Sequence, residues 1–191
     1  ALAEGSVPDL GACAARNLAP GGRVLPGGVR LCLAPVGDSA VAREALEPFG
    51  DRRGVDFAPM QGSARHRGRV VDVPSGDLLH DGGAFVRLPY PSEAAPQGRL
   101  ELAVRSGSLT GLAGWFDVDF DGETMFSTGP RAPGTHWRQV FLPLEPVPVS
   151  DGDVLTLDAR VEPAADDRRS IDLVVTWSVG PHTGSSRWRI R

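Results

Sequence analysis

Apolar and polar residues alternate most regularly in the last third of the chain. Leu155, Leu157, Ala159 and Val161 interleave with Thr156, Asp158, Arg160 and Glu162. A period of two places successive side chains on opposite faces of an extended strand, here one apolar and one polar. Ile171, Leu173, Val175, Trp177 and Val179 repeat the pattern, and Trp188 with Ile190 marks a closing strand. Upstream, residues 69–73, 84–88, 100–105 and 112–120 read as strands, the last rich in aromatics, and 140–142 extends a strand starting near Trp137. Turn formers separate these runs at Asp121-Gly122, at Ser150-Asp151-Gly152-Asp153 and over 164–169. Many short strands at this spacing predict an antiparallel sandwich or barrel, and a closed barrel leaves no exposed sheet edge.

The first third has a different pattern. Ser6 with Asp9 three positions on, and Pro8 between them, predicts a helix start. Leu10, Cys13, Ala14 and Asn17 follow at helical spacing, and Pro20-Gly21-Gly22 ends the helix. Residues 23–25 and 29–34 then read as two short strands separated by Pro26-Gly27-Gly28. Ala40–Leu46 suits one or two helical turns. Beyond it, Pro48-Phe49-Gly50 and the run from Gly54 to Met60 mix apolar and helix-breaking residues without a period. Such a segment is either an excursion that packs outside its own domain or a surface loop. The fold class that results is mainly β, an antiparallel barrel or sandwich with a short N-terminal helix-strand segment and an irregular or helical insertion.

Composition narrows the chemistry. The 191 residues include 24 Gly and 17 Pro, which favours short strands and turns over long helices. All 20 basic residues are Arg, against 24 acidic ones, for a net charge of −4. That balance argues against nucleic acid, which needs a basic face, and fits a cationic partner without requiring one. No apolar run approaches the roughly 20 residues of a membrane-spanning helix, so no membrane partner is expected. The chain opens on Ala1 without Met and reads as a processed or partial protein. Cys13 and Cys32 match no metal or disulfide framework and are expected as two buried free thiols in a reducing cytoplasm. No nucleotide-cradling glycine loop, nucleophile elbow or metal-spaced histidine cluster is present; the four His are scattered. Asp117, Asp119 and Asp121 fall in a strand context and lack the continuation of a calcium loop, so a solvated strand face or an attraction for Arg-rich substrates is the expected role.

Three blocks carry a resemblance: Gly114-Trp115-Phe116-Asp117-Val118-Asp119-Phe120, Phe126-Ser127-Thr128-Gly129-Pro130, and Thr135-His136-Trp137-Arg138-Gln139-Val140-Phe141. In order and spacing they closely resemble the barrel of protein arginine methyltransferases, whose signature loop is Thr-His-Trp. Val149-Ser150-Asp151-Gly152-Asp153 resembles the turn that follows in that family, and Leu18 to Pro26 the last strand region of its cofactor domain. The resemblance implies that 1–28 is the tail of the S-adenosylmethionine-binding domain and 29–191 the substrate-side barrel. It places a dimerisation arm at about 40–68, with Pro48, Phe49, Val55, Phe57 and Met60 at a homodimer interface.

By the same resemblance, Glu4, sixteen positions before Pro20, is the second glutamate of the loop that holds a substrate guanidinium. Such a planar cation is held by paired carboxylates through charge-assisted hydrogen bonds. The first glutamate and the glycine-rich cofactor motif would precede residue 1. Thr135, His136 and Trp137 are expected to line the substrate entrance, with Trp137 as an apolar wall, His136 as a polar contact and Thr135 shaping the loop. Trp115 and Phe116, adjacent on a strand, should face opposite sides, one in the core and one at an interface. The resemblance therefore implies the barrel part of an S-adenosylmethionine-dependent arginine N-methyltransferase that binds no cofactor and is inactive alone, its partner an arginine-containing protein or peptide. A non-catalytic scaffold module and a methyltransferase of small guanidino metabolites are the alternatives.

Overall fold

The computed structural model describes residues 6–46, 51–52, 54–92, 94–122, 125–167 and 170–191. In chain order its helices are α1 (Ser6–Asn17), α2 (Ala40–Leu46) and α3 (Gln61–Ala64). Its strands are β1 (Gly28–Val36), β2 (Asp51–Arg52), β3 (Val55–Asp56), β4 (Arg69–Val71), β5 (Gly83–Pro89), β6 (Gln97–Ala103), β7 (Gly107–Asp119), β8 (Met125–Ser127), β9 (Gln139–Val149), β10 (Val154–Pro163), β11 (Ile171–Val179) and β12 (His182–Ile190). The fold is mainly β and antiparallel, with short helices, as the alternation of apolar residues predicts.

Two sheets face each other. The first runs β4-β9-β7-β1-β5, with β8 added against the end of β7, and the second runs β12-β11-β10-β6. Their inner faces meet in one core that includes Leu31, Leu33, Leu112 and Leu142 from the first sheet and Leu155, Leu157, Val175 and Trp188 from the second. Trp188 is fully buried, and its indole N–H donates to the carbonyl of Pro143 on the opposite sheet at 3.0 Å. An indole needs such a partner when it leaves water, which makes this bond a fixed point between the sheets.

Backbone contacts join the sheets at both margins. Gly68 N–H donates to Arg189 O, and Arg189 N–H to His66 O, each at 2.9 Å, tying the chain ahead of β4 to β12. At the other margin β6, whose ladder with β10 is continued by Val161 N–H donating to Pro96 O at 2.8 Å, passes close over β5. A Cβ at Gly98 would overlap the carbonyl of Phe85, so only glycine lets β6 cross β5 this closely. These joins cover the edges that two separate sheets would expose.

The outer face of the second sheet shows how long arginines substitute for core. Val174 points outward yet is 6% exposed, because its register neighbours Arg160 and Arg187 lay their aliphatic stems beside it. Beside it, buried Asp172 accepts Arg189 Nε at 2.5 Å and Arg187 Nη1 at 3.0 Å, while Arg187 also reaches Glu162 at 2.8 Å. The hydrogen bonds from Arg189, against the cost of desolvation and with the help of Arg187, hold the Asp172 carboxyl below its ordinary pKa.

Several expectations are corrected. Residues 23–25 form no strand: β5 and β7, the neighbours of β1, end in register with Gly28 at Pro89 and Asp119, so no ladder extends to them. The strand expected from Trp137 begins at Gln139, since the preceding residues belong to a folded loop. Cys13 is exposed, not buried, because α1 turns Ala14 rather than Cys13 inward; Cys32 is buried. The segment 40–68 is helical and irregular: α2, whose Ser39 hydroxyl accepts Ala42 N–H at 3.1 Å as a cap, the β2–β3 hairpin, a 3-10 turn at Ala58–Met60, and α3.

Replacing Asp172 with Asn should cost about 1–2 kcal/mol at pH 7, since two guanidinium partners lose a charged acceptor at a half-open site. Because the folded carboxyl is depressed, its contribution is complete above the unfolded pKa of about 3.9 and is lost as pH falls through the lower folded value. Urea titrations should therefore show a wild-type advantage at pH 7 that shrinks toward pH 3.

Candidate functional site

The three resemblance blocks meet at one end of the barrel. On β7, Trp115 points outward and Phe116 inward, as alternation requires. Trp115 packs on a second cluster formed by Ala34, Ala113, Phe141 and their neighbours. Its indole lies in a slot between two glycines: a Cβ on Gly129 would stand 2.8 Å from Nε1, and one on Gly82 2.7 Å from Cη2. Gly82 also has a φ of +81°, which L side chains rarely adopt. The glycine of Ser127-Thr128-Gly129-Pro130 is thus demanded by the tryptophan fourteen residues earlier in the chain.

Thr128 and Gln139 hold the two ends of the loop 129–138. Thr128 is 2% exposed, and both its N–H and its hydroxyl donate to Phe116 O, at 3.1 and 3.0 Å. Buried Gln139 donates through Nε2 to Thr128 O at 2.6 Å and accepts Val73 N–H on Oε1 at 2.9 Å. One amide therefore staples the loop's exit to its entrance and both to the strand region after β4. Within the loop, the Thr135 hydroxyl donates to Trp137 O at 2.7 Å. The Trp137 ring meets Phe116 edge-on at 6.2 Å and Phe126 at 5.7 Å, with the His136 ring 3.9 Å away. T-shaped contacts of this kind fix a ring without burying it, and Trp137 stays 47% exposed.

Thr135, His136 and Trp137 are therefore brought together as one braced turn with an exposed indole face. Of the predicted arm residues, Val55 and Met60 are exposed and Phe57 is half-buried, on the separate hairpin and turn between α2 and α3. Glu4, Pro48 and Phe49 lie outside the described residues. Gln139, Thr128 and Gly82 were not among the predicted site residues; a glutamine at the head of an apolar strand run is the one sequence signal that points to such a clamp.

The aspartates of β7 are engaged locally. Asp117 accepts the Cys32 thiol at 3.4 Å, and burial, together with that carboxylate, pushes the thiol pKa up and leaves it unreactive. Asp119 accepts Gly122 N–H at 2.6 Å and lies 3.9 Å from Arg30. Among the described residues no three His, Cys, Asp or Glu side chains converge as metal ligands. The described site thus offers shape, an aromatic wall and hydrogen bonds.

A closed antiparallel barrel presenting a clamped Thr-His-Trp turn defines a class of protein, and comparison with known proteins agrees. Residues 29–182 match the family described as the arginine methyltransferase oligomerization subdomain, and the chain belongs to that family. It is 28% identical over 183 residues to protein arginine N-methyltransferase 1.1 of Arabidopsis thaliana, covering 89% of this chain and 46% of that protein. It is 29% identical over 194 residues to protein arginine N-methyltransferase 6 of Xenopus tropicalis, covering 93% and 57%. Among solved structures, the Trypanosoma brucei PRMT1 enzyme–prozyme heterotetrameric complex with AdoHcy is similar in fold, with a TM-score of 0.84 at 20% identity over 94% of this chain and 61% of that one. Arabidopsis thaliana protein arginine methyltransferase 10 gives 0.80 at 18% identity over 98% and 66%. The chain spans about half the length of the curated relatives it matches.

Replacing Gln139 with Leu leaves the Thr128 carbonyl and the Val73 N–H buried without partners. The expected cost is about 2–4 kcal/mol in urea unfolding, with line broadening or displacement of the Trp137 indole resonance. An unchanged midpoint and indole signal would show that the loop does not depend on this clamp.

Proposed function

We propose that this chain is the substrate-side barrel and oligomerisation half of an S-adenosylmethionine-dependent arginine N-methyltransferase. In this reading residues 1–28 close the cofactor domain, 29–191 form the barrel, and 40–68 form the arm of a homodimer. What carries the reading is the family match over 29–182 together with the braced Thr-His-Trp turn within it. The described residues carry no glycine-rich strand-to-helix turn of the kind that cradles a nucleotide, and in this reading the methyl donor is held by residues outside this chain.

The work left to the barrel is positional. Trp137 gives a stiff wall beside which an extended arginine-containing protein or peptide lies, and His136 gives a polar contact. Glu4 supplies one of the two carboxylates that pair with the guanidinium, whose charge is permanent and whose N–H fork suits bidentate acceptance. Val55, Phe57 and Met60, with Pro48 and Phe49, supply the apolar face of the arm. No helix among the described residues is long and apolar enough to cross a membrane, and a cytoplasmic enzyme acting without nucleic acid suits the net charge of −4.

The test uses the complete reading frame that contains this chain. Methylation of arginine-containing peptides in preference to free arginine is expected, with Glu4→Gln lowering kcat by about 10²-fold, as loss of a charge-stabilising contact does. The 191-residue chain should give no heat on titration with the methyl donor. A reading frame that begins beside Ala1, or an intact protein inert toward both peptide and small guanidino acceptors, would instead establish a non-catalytic module.

The arm makes a separate prediction. In that intact protein, Val55→Glu with Met60→Glu places two charges in a packed apolar interface and should convert a dimer to monomers by sedimentation velocity, with unfolding of the barrel unaffected.

A further inference from the structure

The join at Arg189 covers β12 only over its last residues. There both the N–H and the C=O of Arg189 point away from β11, to His66 O and Gly68 N–H. The β11–β12 register runs without a shift from Ile171↔Ile190 to Val179↔His182. Alternation in an antiparallel ladder therefore turns the N–H and C=O of Thr183, Ser185 and Arg187 the same way as those of Arg189. Arg187 O has His66 Nδ1 at 3.2 Å. Among the described residues, Thr183 and Ser185 bond nothing on that side. The stretch His182-Thr183-Gly184-Ser185-Ser186 has no proline, no lysine and no bulge, the devices by which edges avoid pairing. It lies toward the end of the barrel opposite the Thr-His-Trp loop, which β12 reaches at Ile190.

A second observation falls on the same stretch. Trp188 is fully buried, so the even-numbered residues of β12 face inward, Gly184 and Ser186 among them. Trp177, 8% exposed, lies against the inner face of Gly184: a Cβ there would stand 2.5 Å from Cζ2 and 2.9 Å from Nε1. The indole N–H of Trp177 is buried and has no acceptor, whereas that of Trp188 has Pro143 O. A buried donor of this kind calls for a partner.

We propose that the free edge of β12 is an interface for a second copy of this chain, the two β12 strands pairing antiparallel about a two-fold axis at Ser185. An isologous contact requires a self-complementary patch, and the sequence supplies one register. Centred on Ser185, Thr183 faces Arg187 of the second copy and Gly184 faces its Ser186, so no like charges meet. Centring on Arg187 would oppose two arginines and require Arg189, already engaged; centring on Thr183 would oppose Ser185 to Pro181, which has no N–H. The chosen register also brings the second copy's Ser186 hydroxyl to the inward side of Gly184, where it accepts the Trp177 N–H. So short a ladder falls well below the roughly 800 Å² per partner of a stable complex, so the contact is weak by itself. It rests on the barrel alone and uses a surface distinct from the arm.

The test uses the 191-residue chain carrying Val55→Glu and Met60→Glu, so that the arm contributes nothing. Sedimentation velocity from about 10 μM to about 1 mM, the range of weak association, should show a monomer–dimer equilibrium. In ¹⁵N spectra the Thr183 and Ser185 amides should gain exchange protection with concentration, and the Trp177 indole N–H should move downfield. Ser185→Pro removes an N–H that lies off the β11 ladder, so the monomer should fold while the dimer is lost. Ser185→Lys, which sets like charges face to face, should do the same and decides the matter if the proline variant misfolds. Ser186→Ala should abolish the indole shift. A chain that stays monomeric throughout, a dimer indifferent to both Ser185 variants, or an indole shift unchanged in Ser186→Ala would each overturn the proposal.

Discussion

Trp115 sits in a slot with glycine on either side, Gly82 in one loop and Gly129 in another, and neither position has room for even a methyl group against the indole. That wedge makes β7, the loop leading into β5 and the entrance of the Thr-His-Trp loop a single packed unit. Gln139 completes it by bonding across the loop's base to Thr128 and onward to Val73. Close-packed interiors transmit such constraints because there is no free volume in which to lose them. The exposed Trp137 face is held still by groups that a ligand never touches.

The rest of the barrel supports this end. The Trp188–Pro143 bond ties the second sheet to β9, the strand that the loop leads into. The joins at Gly68 and Arg189 hold β4, which in turn leads to Val73 and the clamp. On the outside, Arg160, Arg187 and Arg189 act as both cover and counter-charge around Val174 and Asp172. A chain with arginine as its sole long cation can use it in all of these roles, since the guanidinium binds carboxylates in a fork and its stem is apolar.

Much of this was legible in the residues. Where one sheet face is buried and the other wet, as in β10 and β11, alternation reported the strands almost to their ends. It failed where that contrast is missing. Residues 107–111 at the head of β7, rich in glycine and hydroxyl residues, and the proline-rich second half of β9 carry no period of two, yet both are strands because each is the other's ladder partner. Residues 23–25 look like a strand and lack any partner. Trp115, Gly129 and the Thr-His-Trp turn were visible as motifs, whereas their interlock was not: Gly82 and Val73 reach the site only through the fold, and no local pattern marks them.

The central claim is that a buried interlock, and not the loop's own sequence, keeps the Thr-His-Trp turn in place. Native-state amide exchange measures this directly at Thr128 and Val73, which lie outside the strands yet donate to Phe116 O and Gln139 Oε1. Both amides should exchange only through opening close in free energy to global unfolding, like the central residues of β7. Exchange at the rate of an exposed loop, at either position, would contradict the account.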